Sequence, residues 1–193
     1  ISNFEDGCYA KLIDLDKAGQ DVQALPGLLR AAKTMAFAGL NITFPCKQAV
    51  IPLLDDLSDE ARAMGAVNTV VFRDGKATGH NTDGSGWRWG FERTLPDANL
   101  SRVVLLGAGG AGSAIAHSIC RMKAQSLVVV DSDGVRADAL AAELNKQYGG
   151  ARASGSTDAA AALQGATGLV HATPTGMDKL PGLPLKADLL RPE

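Results

Sequence analysis

The sequence predicts an α/β protein of two domains, the second doubly wound, and three observations carry that reading. From Arg102 onward, short Val/Leu runs alternate with Ala-rich helical stretches, the pattern of parallel βαβ units with right-handed crossovers. The first of those runs, "RVVLLG", leads directly into Gly107-Ala108-Gly109-Gly110-Ala111-Gly112, a G-x-G-x-x-G turn that opens a helix. Composition changes near Asn99: aromatics, Asp and mixed elements lie before it, the regular alternation after it. The domains are therefore placed at residues 1–85 and 86–193.

Each element follows from its local pattern. "YAKLIDLD" (9–16) reads as a short strand, and "QALPGLLRAAKTMA" as a helix entered near Pro26. "AGLNITF" is a second strand closed by Pro45, followed by a helical stretch. "AVNTVVF" and "KATGHNT" are β-rich runs joined through Asp74-Gly75, a strong short hairpin signal that delivers Asp83 to the hairpin exit. "DGSGWRWGFERTL" is helical, with Asp83 or Ser85 as the cap. In the second half, "RVVLLG", "SLVVVD" and "TGLVHAT" are strands. "GGAGSAIAHSICRMK", "GVRADALAAELNKQY" and the shorter "TDAAAALQGA" are helices.

Composition narrows the function classes. The chain has 193 residues, 46% hydrophobic and 21% charged, with a formal net charge of −2. That balance, without a Lys/Arg run, offers no attraction to nucleic acid or an anionic membrane. No stretch approaches the roughly 18 consecutive apolar residues of a membrane span. Cys8, Cys46 and Cys120 form no metal spacing and no disulfide framework, which points to a reducing, cytoplasmic setting and to no metal centre. A monomer or a homodimer fits equally well.

The glycine turn is the strongest chemical signal. Gly107 allows a tight strand-to-helix turn, Gly109 lets a pyrophosphate approach the backbone, and Gly112 lets helix and strand pack closely. The N-terminus of the helix, at Gly110 and Ala111, offers N–H groups and partial positive charge to phosphates. Asp131 closes the next strand about 20 residues on, where a carboxylate accepts from ribose hydroxyls and repels a 2′-phosphate. In "VVVDSDG" no cation is adjacent, Asp133 adds negative charge, and Arg136 is the only cation nearby. NAD is therefore favoured over NADP. The loop Thr173-Pro174-Thr175-Gly176-Met177 ends a strand of the same sheet, where it borders the nicotinamide half or is an ordinary turn with Met177 in the core.

A nicotinamide site needs a group that takes the hydroxyl proton when hydride leaves. His80, His117 and His171 each read as satisfied structural histidines. Lys47 is the better candidate: it follows Thr43-Phe44-Pro45-Cys46, so the proline ends a strand and presets a helical turn. A lysine there sits at the helix's positive end, which eases proton exchange near neutrality. Asp83, at the hairpin exit, could orient the ammonium. Asn41, Thr43, Asn68, Thr69, Asn81 and Thr82 are small hydrogen-bonding residues at β-element ends, an inventory suited to a polyhydroxylated ligand. Asn41-Ile42-Thr43 also matches the N-glycosylation acceptor pattern, a coincidence if Thr43 serves a substrate hydroxyl.

These residues resemble the shikimate dehydrogenase family, especially its quinate/shikimate branch. The matching stretches run from "GLNITFPCKQAV" through "GAVNTVVFRDGKATGHNTDGSGW" and "VVLLGAGGAGSAIAHSI" to "HATPTGM", covering most of residues 39–177. The Asn-x-Thr-x-Pro-x-Lys and Gly-x-Asn-Thr-Asp combination carries the likeness. The resemblance implies an N-terminal α/β substrate domain, a Rossmann-like nucleotide-binding domain, and a substrate held in the cleft between them. It implies a Lys47/Asp83 catalytic dyad, substrate binding by Thr43, Lys47, Asn68 and Asp83, and cofactor contacts from Gly107, Ala108, Gly109, Gly110, Ala111, Asp131, Arg136, Thr173, Thr175 and Met177. The reaction implied is reversible NAD(P)-dependent oxidation of a secondary alcohol on a cyclic hydroxy acid, shikimate or quinate, within the shikimate pathway of aromatic amino acid biosynthesis. NAD-preferring members carry an acid where Asp131 stands, and NADP-preferring ones commonly carry Arg nearby. By the same resemblance, the family's opening strand with its Ser-x-Ser or Ser-x-Thr segment, a substrate-touching Gln and a closing helix are not among these 193 residues, so the chain reads either as a piece of a longer protein or as one without a complete substrate pocket. His171 stands where the family usually has Asn. Two alternatives remain beside this reading: an aminoshikimate-type relative, and a non-catalytic NAD-binding regulator.

Overall fold

The computed structural model describes residues 3–4, 8–9, 11–150, 152–178 and 180–190. The chain divides into two units, Ile1–Asn81 and Thr82–Glu193, and the described apolar residues sort into separate cores within them.

In the first unit, β1 (Asn3–Phe4) pairs antiparallel with β2 (Cys8–Tyr9). The strand expected over 9–16 does not extend there; Lys11–Asp14 is irregular and the chain turns over 15–19. Turn chemistry overrides the alternation: Asp14 accepts from the Lys17 amide at 3.2 Å, and Gly19 supplies a φ of +63°. A 3₁₀ turn capped by Asp21 leads into α1 (Leu25–Thr34), with Pro26 in the first turn as its fixed φ favours. β3 (Gly39–Asn41), α2 (Cys46–Ala49), β4 (Asp56–Leu57), α3 (Asp59–Met64), β5 (Thr69–Arg73) and β6 (Lys76–His80) follow. α3 has a Ser58 N-cap bonded to the Ala61 amide and a left-handed Gly65 at its end. The mixed sheet has the order β3-β5-β6-β4. Its β5–β6 hairpin closes through Asp74 and Gly75 at φ +52° and +75°, the geometry the dipeptide predicts. Leu25, Leu29, Ile42, Val50, Val67 and Val70 form the core between this sheet and the helices.

The second unit begins with α4 (Asp83–Thr94), then runs β7 (Val103–Leu106), α5 (Gly110–Arg121), β8 (Leu127–Val130), α6 (Gly134–Tyr148), β9 (Ala153–Ser156), α7 (Ala159–Ala162) and β10 (Gly168–His171). All four strands are parallel, in the order β10-β7-β8-β9. Strand alternation covers both faces. Val103, Leu105, Leu127 and Val129 pack with Ile119, Leu140 and Leu144, while Val104, Leu106, Val128 and Val130 pack with Ala162. The sheet is thus doubly wound. Its order reverses between β7 and β10, and in such sheets that switch point is where ligands sit, beyond the strand C-termini.

α4 packs on α5, fixed at its start by the Ser118 hydroxyl donating to the Gly84 carbonyl at 2.8 Å. Its N-cap is Thr82 rather than Asp83 or Ser85, and no side-chain cap bond forms; Asp83 occupies the first turn.

Candidate functional site

Three of the residues singled out in the first unit lie at one end of its mixed sheet, and backbone bonds hold them there. The Ile42 amide donates to the Asn68 carbonyl at 2.7 Å, and the Asn68 amide to His80 O at 3.0 Å. The Val67 amide donates to the carbonyl of Lys47 at 2.8 Å, and Cys46 N to Thr43 O at 2.9 Å. Thr43, Lys47 and Asn68, separated by up to 25 positions, therefore share one rigid patch. Asn68 is buried and its Oδ1 accepts from the Thr69 hydroxyl at 2.9 Å, while Thr43 is exposed. Asn81 is buried beside them, with Nδ2 donating to Ala66 O at 3.0 Å. A cavity of ≈ 200 Å³ adjoins this patch, lined by Leu15, Leu25, Leu40, Thr43, Phe44 and Cys46 among others.

Lys47 sits on α2, which is a single four-residue turn. So few aligned peptides supply little of the field expected at a helix's positive end. Asp83 belongs to the second unit, at the start of α4.

The glycine turn of the second unit has the geometry its motif requires. Gly107 has φ +100°, and its amide donates to Val130 O at 2.7 Å. A Cβ there would lie 2.8 Å from Ala172 O, and one on Gly112 would collide with the Gly107 carbonyl. By contrast, a Cβ on Gly109 or Gly110 would meet nothing within 4 Å. Those two glycines answer no packing need, and they leave the N-terminus of α5 open to a bulky anion.

Asp131 is held in place by this turn. Its Oδ2 accepts from the Ala108 amide at 2.7 Å and its Oδ1 from the Asp133 amide at 3.0 Å. Burial pushes the Asp131 carboxyl up, but the two amides and the Arg136 guanidinium outweigh it and hold the group below the usual carboxylate range. Arg136 stands closer to Asp131 than its sequence distance suggests: its Nη2 lies 3.5 Å from Asp131 and 3.6 Å from Asp133. Two carboxylates and one guanidinium thus meet at the end of β8.

The loop after β10 lies against the same turn, with the Thr173 methyl 3.1 Å from where a Gly107 side chain would begin. Thr173 and Thr175 are partly buried, and Met177 is 60% exposed, so it is no core residue. His117 differs from the expectation of a satisfied structural histidine. His117 is fully buried, with Nδ1 3.1 Å from the Tyr148 hydroxyl, but its Nε2 has no hydrogen-bond partner. His171 is exposed and its Nε2 lies 2.6 Å from Thr173 Oγ1, a contact between residues two apart that the strand pattern did not signal. Among the described residues, no group of three His, Cys, Asp or Glu could hold a metal ion. Among the described residues, no helix is long and apolar enough to cross a membrane.

Sheet order, glycine turn and strand-end acid together define the Rossmann-like class of nucleotide-binding α/β folds. Residues 11–70 match the family model described as the shikimate dehydrogenase substrate binding domain. A shikimate dehydrogenase (NADP(+)) of Streptomyces avermitilis is 53% identical over 186 residues, covering 95% of this chain and 64% of the relative. A quinate/shikimate dehydrogenase (NAD(+)) of Corynebacterium efficiens is 47% identical over 176 residues, covering 88% and 61%. Among solved structures, quinate dehydrogenase from Corynebacterium glutamicum in complex with NAD superposes with a TM-score of 0.82 at 45% identity, covering 90% of this chain and 61% of that one. The chain belongs to the shikimate dehydrogenase family. It spans 61% to 64% of the length of these relatives.

Proposed function

We propose that the protein is an NAD(P)-dependent oxidoreductase that reversibly oxidises a secondary alcohol of a cyclic hydroxy acid, shikimate to 3-dehydroshikimate or quinate to 3-dehydroquinate. The observation that carries the proposal is the patch in which Thr43, Lys47 and Asn68 are tied together by the amides of Ile42 and Val67. It brings the backbones of a lysine, a threonine and an asparagine together, residue types that a polyhydroxylated ring calls for. Similarity to relatives named for shikimate and quinate supports the same substrate class.

Lys47 relays the substrate hydroxyl proton. Asp83 accepts from a second hydroxyl, while Thr43 and Asn68 bind further hydroxyls. The dinucleotide, when bound, supplies the hydride acceptor. The chain's part is to hold it: amides at Gly109, Gly110 and Ala111 meet the pyrophosphate, Ala108 braces the turn, and Thr173, Thr175 and Met177 border the nicotinamide end. Asp131 retains acceptor capacity for a ribose hydroxyl, since its two oxygens carry about four lone-pair sites. One guanidinium against Asp131 and Asp133 leaves the ribose edge net negative, which supports NAD as the preferred cofactor. NADP is the second reading, supported by Arg136 at that edge and by the NADP(+)-named relative. Buried, free Cys46 and Cys120 support a cytoplasmic setting.

Steady-state kinetics of the purified protein with shikimate and quinate, each with NAD and NADP, tests the assignment. Lys47→Ala is expected to lower kcat by ~10²–10⁴, the scale of a lost acid–base group, with dinucleotide affinity unchanged. A variant of unimpaired kcat removes Lys47 from the mechanism. Dinucleotide binding by the wild-type full-length protein without turnover of any cyclic hydroxy acid establishes the non-catalytic regulator instead.

A further inference from the structure

The loop after β10 contains a hydrogen-bond chain that runs from His171 through Thr173 to Thr175. His171 ends the strand opposite Leu106, and the Ala172 amide donates to Leu106 O at 2.8 Å, so the backbone is fixed up to the loop. Thr173 is then held from two sides. Its methyl covers Gly107, and its hydroxyl faces His171 Nε2 at 2.6 Å. The same oxygen receives the Thr175 amide at 3.3 Å and donates to Thr175 Oγ1 at 3.1 Å. A hydroxyl has one proton and two lone pairs. With its proton donated to Thr175 and one lone pair taken by the Thr175 amide, the remaining lone pair is met by His171 as a donor, the neutral ring carrying its proton on Nε2. The reverse order, Thr175 to Thr173 to an unprotonated Nε2, fits the same three distances, and the ring tautomer distinguishes the two.

We propose that His171 is a positioning residue for dinucleotide binding: its Nε2–H sets the Thr173 hydroxyl, which directs the Thr175 hydroxyl proton outward as a donor for an acceptor atom of the bound dinucleotide. The inference rests on the functional reading above, in which this loop borders the cofactor. It adds to that reading a residue that would otherwise be an exposed strand-end histidine. Because Thr173 also packs on Gly107, a misdirected Thr173 disturbs the glycine turn and the Thr175 donor together.

Two measurements test it. Ring ¹⁵N resonances of the neutral imidazole in the purified protein are expected to show His171 protonated on Nε2; a proton on Nδ1 overturns the proposal. Fluorescence titration with NADH and NADPH is expected to show His171→Phe and Thr173→Val weakened about five- to tenfold, the loss of one hydrogen bond. His171→Gln can place an amide N–H near the ring Nε2 position and is expected to bind within about twofold of wild type. A purely structural role would not separate Gln from Phe in this way. Should His171→Phe fail to fold, the near-isosteric Thr173→Val decides. Tight binding by wild type with no difference among the variants sinks the His171 role and leaves the functional reading standing. Failure of wild type to bind either dinucleotide overturns both.

Discussion

His117 shows at the scale of one residue how burial becomes a pH dependence. It lies in the middle of α5 with Nε2 unpartnered and 3.7 Å from Glu143 Oε1. Burial first, and the charge of Arg121 second, push its pKa down to about 4. The unfolded chain, with an ordinary value near ~6.5, binds the proton more readily. Stability is therefore complete above about pH 6.5 and falls as the pH drops toward 4, by on the order of 3 kcal/mol. Asp131 behaves differently: it lies below its ordinary range, so its contribution persists above the unfolded carboxylate value and is lost only in stronger acid. His117→Gln is expected to flatten the loss of urea stability between about pH 6.5 and 4 while leaving the carboxylate limb in place. Equal slopes in wild type and variant would remove His117 as the cause. The motif placed His117 on the helix correctly, but which side it faced depended on the packing of α6.

Among the elements, β9 is the one local sequence describes worst. "ASGS" has little β propensity, and the sequence reading assigned no strand there. It forms because Asn145 of α6 acts as a paired backbone surrogate: Nδ2 donates to Ala153 O at 2.8 Å and the Ala153 amide donates to Oδ1 at 2.9 Å. β8 then completes the pairing in register from Leu127↔Ala153 to Val130↔Ser156. Asn145→Leu leaves both Ala153 groups without that partner and is expected to cost ~2 kcal/mol of unfolding free energy, with faster amide exchange concentrated at β9. Uniform exchange across the sheet would show that Asn145 does not secure the strand. The opposite case is α6, where the expected and observed bounds coincide at Gly134–Tyr148, because an Asp133 cap, helix formers throughout and a terminal glycine all agree. The Asp74-Gly75 hairpin was legible for the same reason, its turn type being set by two residues alone.

For the molecule as a whole, the two units carry separate cores, and none of the three clusters mixes residues from both. Residues 82–193 produced alone are therefore expected to unfold cooperatively and to bind NADH within about threefold of the parent affinity. Failure of that segment to fold would count against treating the units as autonomous. The α/β class, the glycine turn and its strand-end acid, the hairpin, most helices and the residues that carry the family likeness are all legible along the chain. Each of these is a short-range choice, written in turn chemistry, hydrophobic period or motif spacing. Packing alone makes Asp131 brace the turn through Ala108, brings Arg136 to it, sets Lys47 in a patch with Asn68, and brings His171 against Thr173. Those outcomes depend on which polar groups a closed sheet and its packed helices bring within hydrogen-bond reach. No local propensity encodes that distance; burying the apolar faces sets it.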